Sequence, residues 1–312
     1  MARQLQDSYG RAIGDWRISI TDRCNFRCTY CIPVENIVWK PRGEILSYEE
    51  IERLVSIGIT LGIRKVRLTG GEPLLRTGVV GLVRRLKALR GVEDLALTTN
   101  GKLLPAFAAD LRAAGLDRIN VSLDSLRPDV FAQLTKRNAL AEVLEGIESA
   151  TRAGFHPVKI NAVVIRGVNE DEVVDFARFA HETGHTVRFI EFMPLDSGHL
   201  WSRDQVVSGA EIIERISSEL SLIPIAPRSA AETARRFGFA GGKGEIGVIT
   251  PVSNPFCGNC NRIRITADGQ LRSCLFSLQE TDLKTPLRSG FSDEEIAGVL
   301  REAVWAKEAG HK

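Results

Sequence analysis

No stretch of this 312-residue sequence approaches the roughly 18 consecutive apolar residues of a membrane-spanning helix, so none is expected to enter a bilayer. Residues Met1 to Asp15 lack the apolar core of a secretory signal. An excess of charge is missing too. The 41 basic and 39 acidic residues leave a formal +2, which sets up no global field for nucleic acid or an anionic membrane. Any anion site must be local. Internal repeats and low-complexity tracts are absent beyond a strand–helix period, which argues against solenoid and disordered architectures. What remains, 44% hydrophobic and 26% charged, is an ordinary globular chain long enough for one large α/β domain with or without an appendage. The cytoplasm is the expected location.

The cysteines leave no remainder. All six fall into two triplets, Cys24, Cys28 and Cys31 and then Cys257, Cys260 and Cys274. An even count would suit disulfides in a small secreted scaffold, but a long chain without a signal segment points to metal ligation in a reducing compartment. The first triplet has the spacing C-x3-C-x2-C within Cys24-Asn25-Phe26-Arg27-Cys28-Thr29-Tyr30-Cys31. Three thiolates crowded this tightly wrap one corner of a four-iron cluster and leave the fourth iron open to a ligand. A structural zinc knuckle is the plainer alternative, yet no fourth Cys or His lies near the loop.

Short apolar runs alternate with longer amphipathic segments from Asp15 onward, the pattern of about six βα units around a mainly parallel sheet. Strands are expected near Trp16 to Thr21, Lys65 to Thr69, Leu95 to Thr99, Arg118 to Asp124, Val158 to Ile165 and Thr186 to Met193. Ser47-Tyr48-Glu49-Glu50 reads as a capping box that opens a helix to about Leu61. Further helices pass through Leu82, Leu86 and Leu89, through Phe107 and Leu111, and over Leu140 to Ala153 and Glu170 to Thr183. Polar and glycine residues gather at the C-terminal strand ends, where a parallel barrel builds its active site.

After Pro194 the alternation weakens. A loop from Asp196 to Asp204 leads to a helix near Ala210 to Glu219, then Pro224, Pro227 and the glycine-rich Gly238 to Gly247 break the pattern. The expected division is 1–205 and 206–312. The second part holds a strand at Glu245 to Thr250, the spacing C-x2-C-x13-C, a hairpin turning at Asp268-Gly269, and a last helix near Asp293 to Lys307. The hairpin can fold Cys274 back beside Cys257 and Cys260. Zinc is a stronger rival at this site, since His199 or His311 could complete four ligands. Arg262 and Arg264 alternate with Ile263 and Ile265, so both guanidiniums share one strand face and suit phosphate oxygens.

The loop Cys24-x3-Cys28-x2-Cys31 with Tyr30 before its last cysteine resembles the radical S-adenosylmethionine (SAM) superfamily, and Gly70-Gly71-Glu72-Pro73 resembles that superfamily's glycine-rich element. The C-terminal cysteine pattern with Asn261-Arg262-Ile263-Arg264 inside it is similar to the GTP 3′,8-cyclase family, the molybdenum cofactor biosynthesis protein A family. The resemblance runs from about Arg17 to Trp305. It implies an α/β fold, a partial six-unit (βα)6 TIM-type barrel, with a C-terminal α+β extension carrying a second Fe–S cluster. The two 4Fe-4S clusters would lie at opposite ends of a shared cavity, with Cys24, Cys28, Cys31, Cys257, Cys260 and Cys274 as ligands. In that family SAM binds the open iron and is cleaved to a 5′-deoxyadenosyl radical. The radical takes the 3′ hydrogen of GTP, and C3′ then attacks C8 to give 3′,8-cyclo-7,8-dihydro-GTP.

Residue by residue, the resemblance places Tyr30, Gly71, Glu72, Ser122 and Met193 around SAM. It places Arg17, Arg67, Thr98, Lys159, Arg262 and Arg264 on GTP, with Arg17, Arg262 and Arg264 as catalytic residues. Five cations around one anion supply what a net +2 does not. Each position has a plainer explanation taken singly: a tight turn at Gly70-Gly71, a core filler at Met193, solvent-seeking side chains at Lys159 and Arg67. Their joint occurrence at successive strands favours the site. The implied partners are GTP, SAM, an external electron donor and a downstream cyclic pyranopterin monophosphate synthase, and a homodimer is compatible with the sequence. Family members continue past the position of Gly310-His311 to a tail with two terminal glycines, whereas this sequence ends at Lys312. Cluster and SAM binding are expected of it as it stands, full cyclisation only with such a tail or a substitute. Competing readings are a radical SAM enzyme for another substrate, its second cluster an electron relay, and a zinc-binding barrel scaffold.

Overall fold

The computed structural model describes residues 4–31, 37–195 and 201–311. Its frame is β1 (Asp15–Ser19), α1 (Tyr48–Thr60), β2 (Lys65–Thr69), α2 (Val79–Ala88), β3 (Asp94–Thr99), α3 (Leu104–Ala113), β4 (Arg118–Ser122), α4 (Pro128–Thr135), α5 (Leu140–Arg152), β5 (Lys159–Val164), α6 (Val173–Thr183) and β6 (Thr186–Glu191). The cap expected at Ser47 is present. Its hydroxyl accepts the Glu50 N–H at 3.1 Å, and the Glu50 carboxylate accepts the Ser47 N–H at 2.7 Å. Helix α4 was not expected. Only its first-turn proline, Pro128, signals it, because eight residues are too few for a clear apolar period.

Beyond β6 come α7 (Gly209–Ser217), β7 (Leu222–Ile225), β8 (Arg235–Phe239), β9 (Glu245–Ile249), β10 (Arg262–Ile265), β11 (Gln270–Arg272), β12 (Thr281–Asp282), α8 (Lys284–Arg288) and α9 (Asp293–Trp305). Strands β7 and β8 pair antiparallel within the stretch where a break was expected. Pro224 is tolerated because β7 is an outermost strand, where a missing N–H interrupts no ladder. Residues 196–200, the start of the expected loop and including His199, lie outside the described residues.

The twelve strands among the described residues form one open sheet in the order β12-β11-β10-β1-β2-β3-β4-β5-β6-β9-β8-β7. Strand β10 is parallel to β1, and β9 is parallel to β6. The six expected strands are thus flanked by two more parallel ones, and the C-terminal segment supplies both flanks. Helix α7 lies between β6 and β9, but β7 and β8 intervene before β9 and no α-helix separates β9 from β10, so neither reads as a continuation of the βα alternation.

Strand alternation separates core from cavity. Trp16 and Ile18 of β1, Val66 and Leu68 of β2, and Ile263 and Ile265 of β10 are fully buried on one face, each contributing roughly 1.5–3 kcal/mol of apolar burial. Asp15, Arg17, Lys65, Arg67, Arg262 and Arg264 share the other face, which lines the interior. Among the described residues no helix is long and apolar enough to cross a membrane.

Candidate active site

Strand β1 delivers the chain to the first cysteine loop, and two neighbours hold that loop's backbone. On one side the Gly71 N–H donates to the Thr21 carbonyl at 2.8 Å and the Glu72 N–H to the Arg23 carbonyl at 2.7 Å. The approach leaves no room for side chains. A Cβ on Gly71 would lie 2.2 Å from the Arg23 oxygen, while Gly70, at φ +147°, faces the Thr21 oxygen at 2.4 Å. On the other side Arg27 and Thr29 donate their N–H groups to the carbonyls of Thr135 and Leu134, both at 2.9 Å, satisfying acceptors orphaned at the end of α4.

The Phe26 N–H donates to Cys24 Sγ at 3.4 Å. Burial pushes all three thiols up, Cys31 to about 11, and Asp124 and the neighbouring cysteines add to this at Cys28 and Cys31. Thiolates in this loop would therefore be stabilised by a cationic metal centre. None of the six cysteines forms a disulfide. Among the described residues no three His, Cys, Asp or Glu side chains converge as ligands of a single ion would. A cubane takes one thiolate on each of three irons, so three cysteines are a donor set that fits the cluster.

Tyr30 donates its hydroxyl to buried Asp124, whose other oxygen accepts the Val163 N–H at 2.8 Å. Burial raises the Asp124 carboxyl to about 6 despite these donors. Asp124 was not among the expected site residues, although the polar end of β4 signalled it. Tyr30 borders an apolar slot with Leu134, Ile165, Val168 and Phe192, and the Tyr30 and Phe192 rings meet edge to face at 6.3 Å. Glu72 is fully buried. Its oxygens accept from the Leu74 N–H (3.0 Å), the Thr99 hydroxyl (2.8 Å) and the Asn100 N–H (2.7 Å), tying the glycine turn to the end of β3. Ser122 ends β4 half-buried on the cavity-side register.

The second triplet sits at the opposite end of the strands. Cys257 and Cys260 immediately precede β10, parallel to β1, and Cys274 follows the returning β11. The expected hairpin does bring Cys274 back: all three cysteines line one cavity with Arg17, Met193, Arg262, Arg264, Phe276 and His311. Arg262 donates to Cys260 Sγ at 3.5 Å. Burial pushes the Cys260 thiol up, but Arg262 and Lys307 outweigh it and bring it down to about 7. Cations thus favour thiolate here, unlike in the first loop.

Arg17 and Arg262 also line an adjoining pocket with Lys65, Arg67, Arg118, Lys159 and Arg188. Register explains the crowding, because Arg264, Arg17 and Arg67 stand side by side on β10, β1 and β2. Burial, then neighbouring guanidiniums, lower Arg17 and Arg264 to about 9 and Arg67 and Arg188 to about 10. The Nε atoms of Arg17, Arg67 and Arg188 are buried without a hydrogen-bond partner among the described residues. Thr98 accepts from Asn120 Nδ2 at 3.3 Å, and Asn120 Oδ1 accepts from Arg188 at 3.0 Å. Lys65 and Arg188 escaped the sequence reading, since a strand cation bound for a cavity looks like one bound for solvent.

Residues 18–180 match the Radical SAM superfamily and residues 185–312 match Molybdenum Cofactor Synthesis C. The GTP 3′,8-cyclase of Streptomyces coelicolor is 49% identical over 311 residues, 99% of this chain and 91% of that protein. The chain belongs to the GTP 3′,8-cyclase family. A second cyclase, from Geobacter sulfurreducens, is 48% identical over 309 residues, 99% of this chain and 94% of its own length. The crystal structure of Streptococcus suis SuiB bound to S-adenosylmethionine covers 96% of this chain and 68% of that one, with TM-score 0.62 and 13% identity. SuiB bound to its precursor peptide SuiA covers 96% and 67%, with TM-score 0.64 and 13% identity. These likenesses concern the fold, an open radical SAM barrel. The cyclase family uses two 4Fe-4S clusters and SAM.

Proposed function

We propose that this chain is a GTP 3′,8-cyclase that converts GTP to 3′,8-cyclo-7,8-dihydro-GTP, the first step of molybdenum cofactor biosynthesis. One observation carries the substrate reading: Arg17, Arg67, Lys159, Arg188, Arg262 and Arg264 crowd one interior face beside the second triplet, with buried guanidinium Nε atoms left unpartnered. The carboxylates of Asp15, Asp94 and Glu232 in the same lining are outnumbered by these cations, so an anion of high charge is favoured there, and a triphosphate accepts bidentate, charge-assisted bonds. With bound SAM, the first cluster supplies one-electron reductive chemistry that starts the cyclisation. The chain's own residues aim it. The slot beside Tyr30 takes a planar adenosine ring, and Tyr30 is held there by Asp124. The Gly70-Gly71 backbone fixes the cysteine loop. The cations at the far end set the depth at which the nucleotide stops, in the cavity that Met193 shares with Arg17, Arg262 and Arg264. An external electron donor and a downstream enzyme that consumes the cyclised nucleotide complete the proposal.

Anaerobic incubation with SAM, GTP, a reductant and a peptide ending in two glycines is expected to give 5′-deoxyadenosine and a cyclised nucleotide, with about eight irons and acid-labile sulfides per chain. Intact clusters without 5′-deoxyadenosine would sink the reading. 5′-Deoxyadenosine formed equally fast without GTP and with no cyclised product would redirect it to another substrate.

Binding should also be linked to protons. Burial, then Arg188 and Arg118, bring the Lys159 ammonium down to about 7, so the free protein is largely neutral there at pH 8. A triphosphate favours the charged form and raises that value on binding. GTP affinity should therefore fall as pH rises from 7, with proton uptake at pH 8. Because an unfolded lysine keeps its proton to about 10.4, the ligand-free fold should gain stability from this group between pH 7 and 10.4. Calorimetry of GTP binding in two buffers of different ionisation heat measures the uptake. Uptake that is absent, or unchanged in Lys159→Met, would rule out this linkage.

A further inference from the structure

Just past α9, Lys307 is only 3% exposed. Its ammonium donates to the carbonyl of Ser273, the residue before Cys274, and at 3.2 Å to the carbonyl of Arg262, two residues after Cys260. The charged or ionisable groups that face it are the thiols of Cys260 and Cys274 and the guanidiniums of Arg11 and Arg262. An ammonium held in the interior by neutral carbonyls, with two further cations beside it, is unstable unless an anion balances it. Among the groups that face Lys307, the thiols of the second cysteine site are the ones that can supply that anion.

The segment bearing Lys307 is fastened from two directions. Arg11, ion-paired with buried Asp7 at 2.6 Å, donates to the carbonyls of Cys257 (2.8 Å), Ala309 (2.7 Å) and Glu308. The His311 ring stacks on Phe276 at 4.1 Å, with Nδ1 3.3 Å from Cys257 Sγ. Lys307 therefore cannot swing to solvent.

We propose that Lys307 is a built-in counter-cation of the second cluster: it positions the backbone flanking Cys260 and Cys274, and its charge raises that cluster's reduction potential. The inference rests on Cys257, Cys260 and Cys274 being cluster ligands. Reduction adds a negative charge to a cluster, and a fixed positive charge nearby stabilises the reduced state, since net charge and hydrogen bonding are what set such potentials.

The test uses the full chain with Cys24, Cys28 and Cys31 replaced by alanine, so that one cluster remains. About four irons and sulfides per chain establish the ligand set; their absence refutes that reading and the proposal with it. In this background Lys307→Met and Lys307→Gln are expected to lower the midpoint potential, followed by electron paramagnetic resonance, by at least tenfold in the reduction equilibrium, 59 mV for one electron. Lys307→Arg should restore most of the shift. Loss of iron from both neutral variants while Lys307→Arg stays loaded also supports the role. An unchanged potential in either neutral variant overturns it, as does iron loss in all three.

Discussion

Arg264→Met is expected to make the ligand-free protein more stable and nearly unable to bind GTP. Arg264 sits beside Arg17 on the paired strand and near Arg262, and burial followed by those two cations lowers it to about 9. Replacing a buried ion pair with apolar residues of similar volume is often stabilising, by about 1–4 kcal/mol. Arg264 is crowded by cations and forms no ion pair with a carboxylate among the described residues, so its removal leaves no carboxylate uncompensated and the melting temperature should rise. The same change removes a charge-assisted partner from the proposed triphosphate site, a loss of about 2–5 kcal/mol, or roughly 30- to 4,000-fold in Kd. The opposite signs are the signature of a site that stores repulsion until its ligand arrives. A lower melting temperature with unchanged GTP affinity would mean that Arg264 is structural and that the anion binds elsewhere.

Gly71→Ala should strip the first cluster while sparing the second. Its new Cβ would fall 2.2 Å from the Arg23 oxygen and 2.6 Å from the Asp22 oxygen, both backbone atoms that cannot rotate away. Relief requires the loop to move, which breaks the hydrogen bonds from Gly71 to Thr21 and from Glu72 to Arg23. Cys24 lies one residue beyond. Iron should fall from about eight to about four per chain, and 5′-deoxyadenosine should drop below detection while GTP still binds. A fully loaded Gly71→Ala protein with normal SAM cleavage would show that the close approach is not required.

How much of this could be read beforehand depended on whether local chemistry encodes it. The capping box at Ser47 and Glu50 and the alternating β2, Lys65 to Thr69, announce themselves because cap and period lie within a few residues. The hairpin that returns Cys274 was legible from Asp268-Gly269. Pairing partners were not: nothing in Arg262-Ile263-Arg264-Ile265 says that it lies against Asp15 to Ile18, 247 positions earlier. The two extra parallel strands, and the register that lines up Arg264, Arg17 and Arg67, therefore emerged only in three dimensions. Glu72 shows the complementary limit. The family resemblance sets it toward SAM, but nothing in the sequence says that its oxygens also hold Leu74, Thr99 and Asn100, a role that depends on where β3 ends. Lys307 had no signal either, because a helix-end lysine ordinarily faces water.

The flanking position of β10 also dictates a timetable. During synthesis, β1 through β6 and their helices leave the ribosome long before the residues that cover the open side of β1, so Arg17 waits there beside Arg67 but without Arg262 and Arg264. Contacts this distant along the chain form late. The thiols of the first loop, neighbours in sequence, can be gathered by a nascent chain, but Cys257, Cys260 and Cys274 have no site until translation is nearly complete. Iron–sulfur delivery to the second site should accordingly be a post-translational event, sensitive to any delay in release of the finished chain.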